Sequence, residues 1–169
     1  PEIYGITQMI GDLLHYAISQ NGGMATLQEE VSNLRNYTSI QQKRFANRCH
    51  VEIEVDPSLE DCMIPRFTLQ PLVENAFEHG LQSKKGSWIV QVVVKRTNRN
   101  RLLISVCDNG VGIDQDDLEK IRRLLHDKDN GLSESQAPSK HRGIGLSNVD
   151  SRLKMHFGLR SGLRIFSTK

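Results

Sequence analysis

Glu74, Asn75 and Glu78 form the first of three polar features along the chain. They lie on the polar face of a segment whose apolar residues recur at helical spacing. A side-chain amide oxygen is a hard, neutral ligand for Mg²⁺, which takes the rest of its shell from water and from nucleotide phosphates. Asn75 is therefore a candidate metal ligand. The alternative is an ordinary solvated asparagine on a helix surface, which is the commoner case for a lone residue of this type.

The second feature is Asp108, which follows an alternating, β-branched stretch and precedes Gly110 and Gly112. A carboxylate accepts a hydrogen bond from the exocyclic amine of adenine, whereas guanine presents an acceptor there and leaves the carboxylate unpaired. The two glycines let the backbone approach a bound base. The alternative is a simple Asp-Asn-Gly turn at a strand end, and this segment alone does not separate the two.

The third feature is Gly143 and Gly145, which precede another helical pattern. Glycines at a helix start expose backbone amides, and the helix dipole adds positive potential, so phosphate oxygens fit there. The dipole contributes only about 0.3–1 kcal/mol per charge at exposed sites, so Arg142, His141 or Lys140 is expected to help. No strand precedes these glycines and no Gly-Lys-Ser/Thr follows, so neither a dinucleotide-binding fold nor a P-loop is indicated.

Length and composition predict a soluble globular domain. The chain has 169 residues, of which 37% are hydrophobic and 25% are charged, and its net charge of +2 is too small to indicate nucleic acid. No apolar run approaches the ~18–20 residues of a membrane span, and no signal peptide opens the chain. The three cysteines form no CxxC pair, which indicates reduced thiols in a cytoplasmic compartment. Because the chain starts at Pro1 in helical sequence, we expect a fragment of a longer protein.

Residues 1–48 are predicted to form a helical hairpin. The first helix has an apolar seam at three- and four-residue spacing, ended by the glycines near residue 22. Thr26 and Glu29 predict a capping box for the second helix. The seam consists of Ile3, Ile6, Ile10, Leu13 and Ala17, and the second helix carries Leu27, Val31, Leu34, Thr38, Gln41 and Phe45 on one side. We interpret the hairpin as part of a dimerising bundle, with a two-helix cap on the following domain as the alternative.

Residues 49–169 predict an α/β domain that positions the three features. The expected elements are a strand at 51–55, a helix at about 65–79, a hairpin at 88–95 and 102–107, a helix with Leu146, Val149, Leu153 and Phe157, and a last strand at 163–166. Trp88 is expected to be a packing residue. The stretch 113–142 begins with a short helix capped by Asp114 and then becomes polar, which predicts a functional lid.

These motifs resemble the GHKL (Bergerat) ATP-binding fold of histidine kinases, in its LytS-like branch. Residues 69–76 with His79 and Gly80 resemble the N box, and residues 108–113 resemble the first glycine box. Residues 143–149 resemble the second glycine box, and residues 27–45 are similar to the linker helix of that branch. The resemblance covers nearly the whole chain.

The resemblance implies a two-layer α/β sandwich, with helices on one face of a mixed sheet, that binds ATP and Mg²⁺. It implies that Asn75 is the metal ligand and that Asp108 reads the adenine. The lid hinge and the phosphate contacts fall on Gly110, Gly112, Gly143 and Gly145. The other implied nucleotide-binding residues are His79, Ile113, Arg142, Ile144, Leu146 and Asn148.

The resemblance further implies autophosphorylation of a histidine within a homodimer, followed by transfer to a response regulator. None of the chain's histidines has the neighbours of the family's acceptor, so the acceptor is expected before Pro1, in a parent protein anchored to a membrane. Pro71 stands where the hydrolytic relatives carry a base, which favours a kinase over an ATPase. Glu74 is then the candidate that polarises the attacking nucleophile, so Glu74 and Asn75 form the predicted catalytic pair.

Two alternatives remain from the sequence. Glu78 replaces a lysine common in this N box, and the Gly-Thr-containing last strand usual in the family is not in the chain. A nucleotide-sensing scaffold of the same fold without phosphoryl transfer is therefore the first alternative. The second is a Ser/Thr kinase of the anti-sigma type, which the wording of the N box and linker helix disfavours.

Overall fold

The computed structural model describes residues 11, 23–45, 48–81, 86–127 and 144–168, with backbone only at 79–81, 126–127 and 144. The chain divides into two compact units, Pro1–Gly110 (unit 1) and Val111–Lys169 (unit 2). The predicted seam of the first helix and the polar part of the predicted lid, from 128 to 142, lie outside the described residues. None of the helices in the described ranges is both long and apolar enough to cross a membrane.

Unit 1 contains the mixed sheet that was predicted. The strands of unit 1 are β1 (Met24–Thr26), β2 (Cys49–Val55), β3 (Met63–Pro65), β4 (Trp88–Arg96) and β5 (Leu102–Asp108), and the mixed sheet consists of β2, β4 and β5. The central strand β4 is parallel to β2 and antiparallel to β5, so Val92 pairs with Ile53 on one side and with Val106 on the other. β1 and β3 form a separate antiparallel pair that the sequence pattern did not predict.

Helices cover one face of this sheet. Along β4, Trp88, Val90, Val92 and Val94 are at most 3% exposed, whereas the residues between them are exposed or half-buried. This alternation follows from the two-residue period of a strand with one face in the core. The packing role predicted for Trp88 is confirmed, because its ring also lies 4.6 Å from that of Phe45.

Helix α1 (Leu27–Arg44) covers the core side and has the predicted capping box. The Thr26 hydroxyl accepts a hydrogen bond from the backbone N–H of Glu29 at 3.1 Å, and the Glu29 carboxylate accepts one from Thr26 at 2.9 Å. Leu27, Val31 and Leu34 are buried in the core, as predicted. α1 therefore starts where the sequence predicts and is fixed by its apolar side.

Replacing Thr26 by Ala is expected to lower the free energy of unfolding by about 1 kcal/mol, because the N–H of Glu29 loses its acceptor. Trp88 is the only tryptophan in the chain, so its fluorescence during urea denaturation reports on unit 1. Ser32→Ala on the exposed side of the same helix is the matched control. Equal losses in the two variants would contradict a capping role for Thr26.

The helix that carries Asn75 is shorter than predicted. Residues 63–65 form β3, and helix α2 runs only from Leu69 to Asn75, after which Ala76–Leu81 continue as a π-helical turn. Pro71, expected as an irregularity inside a longer helix, lies in the first turn of α2. There a missing N–H costs nothing, because first-turn amides have no partner within the helix.

Unit 2 contains α3 (Gln115–Asp127) and α4 (Ile144–Phe157). The Asp114 carboxylate accepts a hydrogen bond from the N–H of Asp117 at 3.0 Å, so the predicted cap is confirmed. Gly158, with φ +83°, ends α4 in the left-handed region that favours glycine. The buried stripe predicted for α4 is wrong at its end, because Phe157 is 48% exposed.

The last strand predicted at 163–166 is also wrong, since this segment is not part of a sheet. Its backbone groups are instead bound by side chains of the helices. The N–H of Leu163 donates to Asp150 Oδ1 at 2.7 Å, and the guanidinium of Arg122 donates to the carbonyl of Ile165 at 2.9 and 3.1 Å. Alternating apolar residues predict an extended segment, but they do not determine what its backbone pairs with.

Candidate nucleotide site and its supporting contacts

Glu74 and Asn75 occupy the last turn of α2, directly before the backbone widens into the π-helical turn. Asn75 is half-buried, and its amide makes no hydrogen bond with any residue that the structure describes. π-helical turns are rare and are frequent at functional sites. Asn75 is thus a polar group held by a rigid helix and available to an external ligand.

A buried carboxylate of α1 holds the start of α2. Glu30 is 1% exposed, and its oxygens accept hydrogen bonds from the backbone N–H groups of Phe67, Thr68 and Leu69 at 2.6, 2.8 and 3.0 Å. Phe67 has φ +54°, which is strained for a bulky residue. Glu30 therefore acts as the N-terminal cap of α2 from a different helix and holds a strained turn in place.

A path of two side-chain hydrogen bonds also connects α1 with Glu74. The Nδ2 of Asn33 donates to Oε1 of Gln70 at 2.8 Å, and the Nε2 of Gln70 donates to Oε1 of Glu74 at 2.8 Å. Glu74 is half-buried, and its Oε2 has no hydrogen-bond donor among the described residues. One carboxylate oxygen is thus held by the protein while the other is available.

Tyr37 of α1 lies near the same carboxylate. Burial, and then the negative charges of Glu74 and Glu78, raise the pKa of the Tyr37 hydroxyl to about 12. Its ring packs edge-on against Phe77 with 6.2 Å between the centroids. The phenol therefore stays neutral at physiological pH, and α1 contacts α2 from its first turn to the start of the π-helical segment.

Asp108 ends β5 with its carboxylate exposed, and β5 contacts the Ala76–Leu81 segment that follows Asn75. Its Oδ1 accepts a hydrogen bond from the N–H of Gly110 at 2.8 Å. Asn109 ties this corner to β4, since its side chain accepts from the N–H of Ile89 at 3.0 Å and donates to the carbonyl of Ser87 at 3.3 Å. The second oxygen of Asp108 is left free of donors from the described residues.

The remaining predicted site residues lie mostly in unit 2. Gly112 has φ +74°, a conformation that confirms the need for glycine there. The N–H of Ile113 donates to the hydroxyl of Ser167 at 2.8 Å. At the start of α4, Gly145 and Asn148 are exposed, whereas Leu146 is 6% exposed. Arg142, Gly143 and the side chains of His79 and Ile144 lie outside what the structure describes.

Two further features concern whether a metal ion or a nucleotide fits the described residues. Across the described ranges, no group of three or more His, Cys, Asp or Glu side chains is placed to hold a metal. Mg²⁺ bound through one amide, water and phosphates needs no such group. The amide of Asn75, which has no hydrogen-bond partner among the described residues, fits that ion. A groove of about 520 Å³ lies elsewhere, between α1 and β2, and includes none of the predicted nucleotide-binding residues.

The residues that support this site were not predicted from the sequence. Glu30 stands on the apolar side of α1 between Leu27 and Leu34, and a charge at such a position indicates a buried partner. Asn33 directly precedes Leu34 in the sequence, and an uncharged amide there is a weaker signal of the same kind. In the structure Asn33 is 5% exposed. Nothing in the sequence indicated that Asn109 would bridge two strands.

Comparison with known proteins agrees with these motifs. Residues 60–166 match the family described as histidine kinase-, DNA gyrase B-, and HSP90-like ATPase, and residues 1–49 match the histidine kinase family. The chain is 32% identical to the sensor histidine kinase YesM of Bacillus subtilis, covering 98% of this chain and 26% of YesM. It is 27% identical to the sensor protein kinase HptS of Staphylococcus aureus, covering 97% of this chain and 29% of HptS.

The histidine kinase domain of the blue-light activated histidine kinase from Erythrobacter litoralis EL346 aligns with 69% of this chain, at 19% identity and a TM-score of 0.41. The chain spans less than a third of the length of the two curated relatives described above. The resemblance that the three motifs indicated is confirmed by the family matches. The chain belongs to the family of histidine kinase-, DNA gyrase B- and HSP90-like ATPases, as an ATP-binding domain of the histidine kinase type.

Proposed function

We propose that this chain is the catalytic part of a sensor kinase that binds ATP with Mg²⁺ and transfers the γ-phosphoryl group to a histidine. The observation that carries the proposal is the pair Glu74 and Asn75. Among the described residues, a half-buried amide without a hydrogen-bond partner lies next to a carboxylate with one free oxygen. Both are on a helix within residues 60–166, which match the histidine kinase-, DNA gyrase B- and HSP90-like ATPase family. Its relatives YesM and HptS are named as a sensor histidine kinase and a sensor protein kinase.

Each predicted residue has a role in this proposal. Asn75 is the metal ligand, and Asp108 accepts a hydrogen bond from the adenine amino group. The backbone at the start of α4 donates hydrogen bonds to phosphate oxygens, as helix N-termini do. The residues assigned to nucleotide contacts are His79, Gly110, Gly112, Ile113, Arg142, Gly143, Ile144, Gly145, Leu146 and Asn148. When bound, Mg²⁺ neutralises charge on the phosphate oxygens.

The transfer step needs little covalent chemistry from the protein. A nitrogen lone pair of the acceptor imidazole forms a bond to the γ-phosphorus, while the bond from phosphorus to the β,γ-bridging oxygen breaks. That oxygen leaves with the electron pair as part of ADP. The free oxygen of Glu74 accepts a hydrogen bond from the other ring nitrogen and takes its proton as positive charge develops on the ring.

The remaining parts of the proposal concern the longer protein. The acceptor histidine lies before Pro1, residues 1–48 belong to a dimerising region, and residues 49–169 form the ATP-binding domain with a lid at 113–142. The phosphoryl group then passes to an aspartate of a response regulator. The domain works in the cytoplasm, and the parent protein is anchored to a membrane. Family membership and the motif order support these assignments.

Nucleotide titration tests the binding step. We expect ATP to bind more tightly than GTP, and more tightly with Mg²⁺ than without it. Asn75→Ala is expected to lower ATP affinity about tenfold in Mg²⁺ and to change it little in EDTA, because only the metal-dependent contact is lost. Asn98→Ala, at an exposed turn, is the control. Equal losses for Asn75→Ala in both buffers would contradict the metal assignment.

The second candidate function is a nucleotide-sensing module without transfer, and Glu78 favours it. This exposed carboxylate lies in the turn that follows Asn75, where it repels phosphate. Phosphohistidine on a protein extended to include the preceding segment would exclude the module. Nucleotide binding without any phosphohistidine would favour it.

A further inference from the structure

Two amides, Asn33 and Gln70, connect the interior of unit 1 with Glu74. They form a path of two hydrogen bonds, each 2.8 Å long. The first runs from Asn33 on α1 to Gln70 on α2, and the second runs from Gln70 to Glu74, one turn further along α2. From these contacts we infer that Asn33 and Gln70 are positioning residues, which direct Glu74 toward the acceptor histidine without touching ATP. The inference rests on the proposed function.

The donor-to-acceptor direction of this hydrogen-bond path has a functional consequence. An amide has a donor end and an acceptor end. Because Asn33 donates to Oε1 of Gln70, the donor end of Gln70 must face Glu74. This orientation holds Oε1 of the carboxylate and leaves Oε2 for a substrate. A reversed Gln70 amide would place an oxygen against the carboxylate and repel it.

A purely structural role explains Asn33 poorly. Asn33 is 5% exposed, and its Oδ1 is buried with no hydrogen-bond partner in the described part of the chain. An unsatisfied buried oxygen destabilises the folded protein, so an apolar residue of similar size would suit the core better. What Asn33 supplies that leucine cannot is a donor directed at Gln70.

The groups around Glu74 are consistent with this assignment. Burial, and then the negative charges of Glu74 and Glu78, raise the pKa of the Tyr37 phenol, so Tyr37 lies near both carboxylates. The donor from Gln70 holds one oxygen of Glu74 along α2.

The first test separates catalysis from stability with Asn33→Leu. Its readouts are the rate of phosphohistidine formation and the KM for ATP, measured in the parent protein extended to include the proposed acceptor. We expect kcat to fall about tenfold, a part of the ~10²–10⁴ that a proton-accepting group contributes. The KM for ATP should stay unchanged, and the urea midpoint followed by Trp88 fluorescence should not fall. Asn36→Leu, one turn further along α1, is the matched control.

The second test uses the orientation of Gln70. In Asn33→Asp the new carboxylate cannot donate, so Gln70 is expected to reverse and lower kcat more than Asn33→Leu does. In a Gln70→Met background there is no amide to reverse, and adding Asn33→Asp should then lower kcat no further. Such non-additivity is the signature of residues that act through one hydrogen-bond path. Should Asn33→Asp fail to fold, Asn33→Leu combined with Gln70→Met gives the same comparison.

The outcomes distinguish this inference from the proposed function. If the unaltered protein forms no phosphohistidine, the proposed function is wrong and the inference falls with it. If it does form phosphohistidine and Asn33→Leu or Gln70→Met leaves kcat unchanged, only the inference is wrong. If KM and stability change together with kcat, the two amides have a structural role and the inference is also overturned.

Discussion

Replacing Asp108 by Asn is expected to lower the affinity for ATP about 10- to 100-fold. A hydrogen bond to a charged group contributes about 1.5–3 kcal/mol, and each 1.4 kcal/mol changes a dissociation constant about tenfold. The substitution preserves the local turn, because the amide oxygen can still accept from the N–H of Gly110 as Asp108 Oδ1 does. What changes is the group that faces the base.

The same variant should also change the choice of base. The amide nitrogen introduced by Asp108→Asn is a donor, so it opposes the amino group of adenine and suits the carbonyl of guanine. We therefore expect the preference for ATP over GTP to shrink or reverse in a fluorescence or calorimetric titration. Asp61→Asn, at an exposed turn of unit 1, controls for the lost charge. Unchanged ATP affinity in Asp108→Asn would remove Asp108 from the nucleotide site.

Replacing Glu30 by Ala is expected to lower the free energy of unfolding of unit 1 by about 3–5 kcal/mol. Three backbone N–H groups lose their acceptor at once, in a place that is 1% exposed, and each buried unpaired donor costs about 1–3 kcal/mol. The strained φ of Phe67 adds to the loss, because a strained residue persists only where its surroundings hold it. Urea denaturation followed by Trp88 fluorescence measures the change.

Glu29→Ala is the matched control for Glu30→Ala, because the two glutamates are neighbours on α1. Within the described part of the chain, the Glu29 side chain accepts one hydrogen bond, from the N–H of Thr26, and it is exposed, so we expect a loss of about 1 kcal/mol. Glu30→Gln should fall between the two variants, since an amide retains only one of two acceptor oxygens. Similar losses for Glu29→Ala and Glu30→Ala would contradict the capping of α2 by Glu30.

Together these contacts make α1 the scaffold of the candidate site in unit 1. Glu30 holds the first turn of α2, Asn33 reaches the middle through Gln70, and Tyr37 packs at its end. A displacement of α1 would therefore reach Glu74 through the hydrogen bonds of Gln70, and it would shift helix α2, which also carries Asn75. Helix α1 is thus structurally coupled to the residues proposed to transfer phosphate.

Much of this organisation was predictable from local sequence. The capping box of α1, the hairpin of β4 and β5, and the cap of α3 each depend on a few neighbouring residues, and each was confirmed. The three motifs also identified the family, and all three lie within residues 60–166, which match it. Local rules suffice where a structure is determined within one or two turns.

Tertiary structure decided the features that depend on distant partners. Periodicity extended α2 back to residue 65, but its true start is set by Glu30, 39 residues before Leu69. The stretch at 163–166 has the alternation of a strand, yet Asp150 and Arg122 bind its backbone. The sequence by itself identified the family and predicted which groups bind ATP. Which side chains hold those groups was decided by packing, because a hydrogen bond between elements far apart in the chain leaves no periodic pattern.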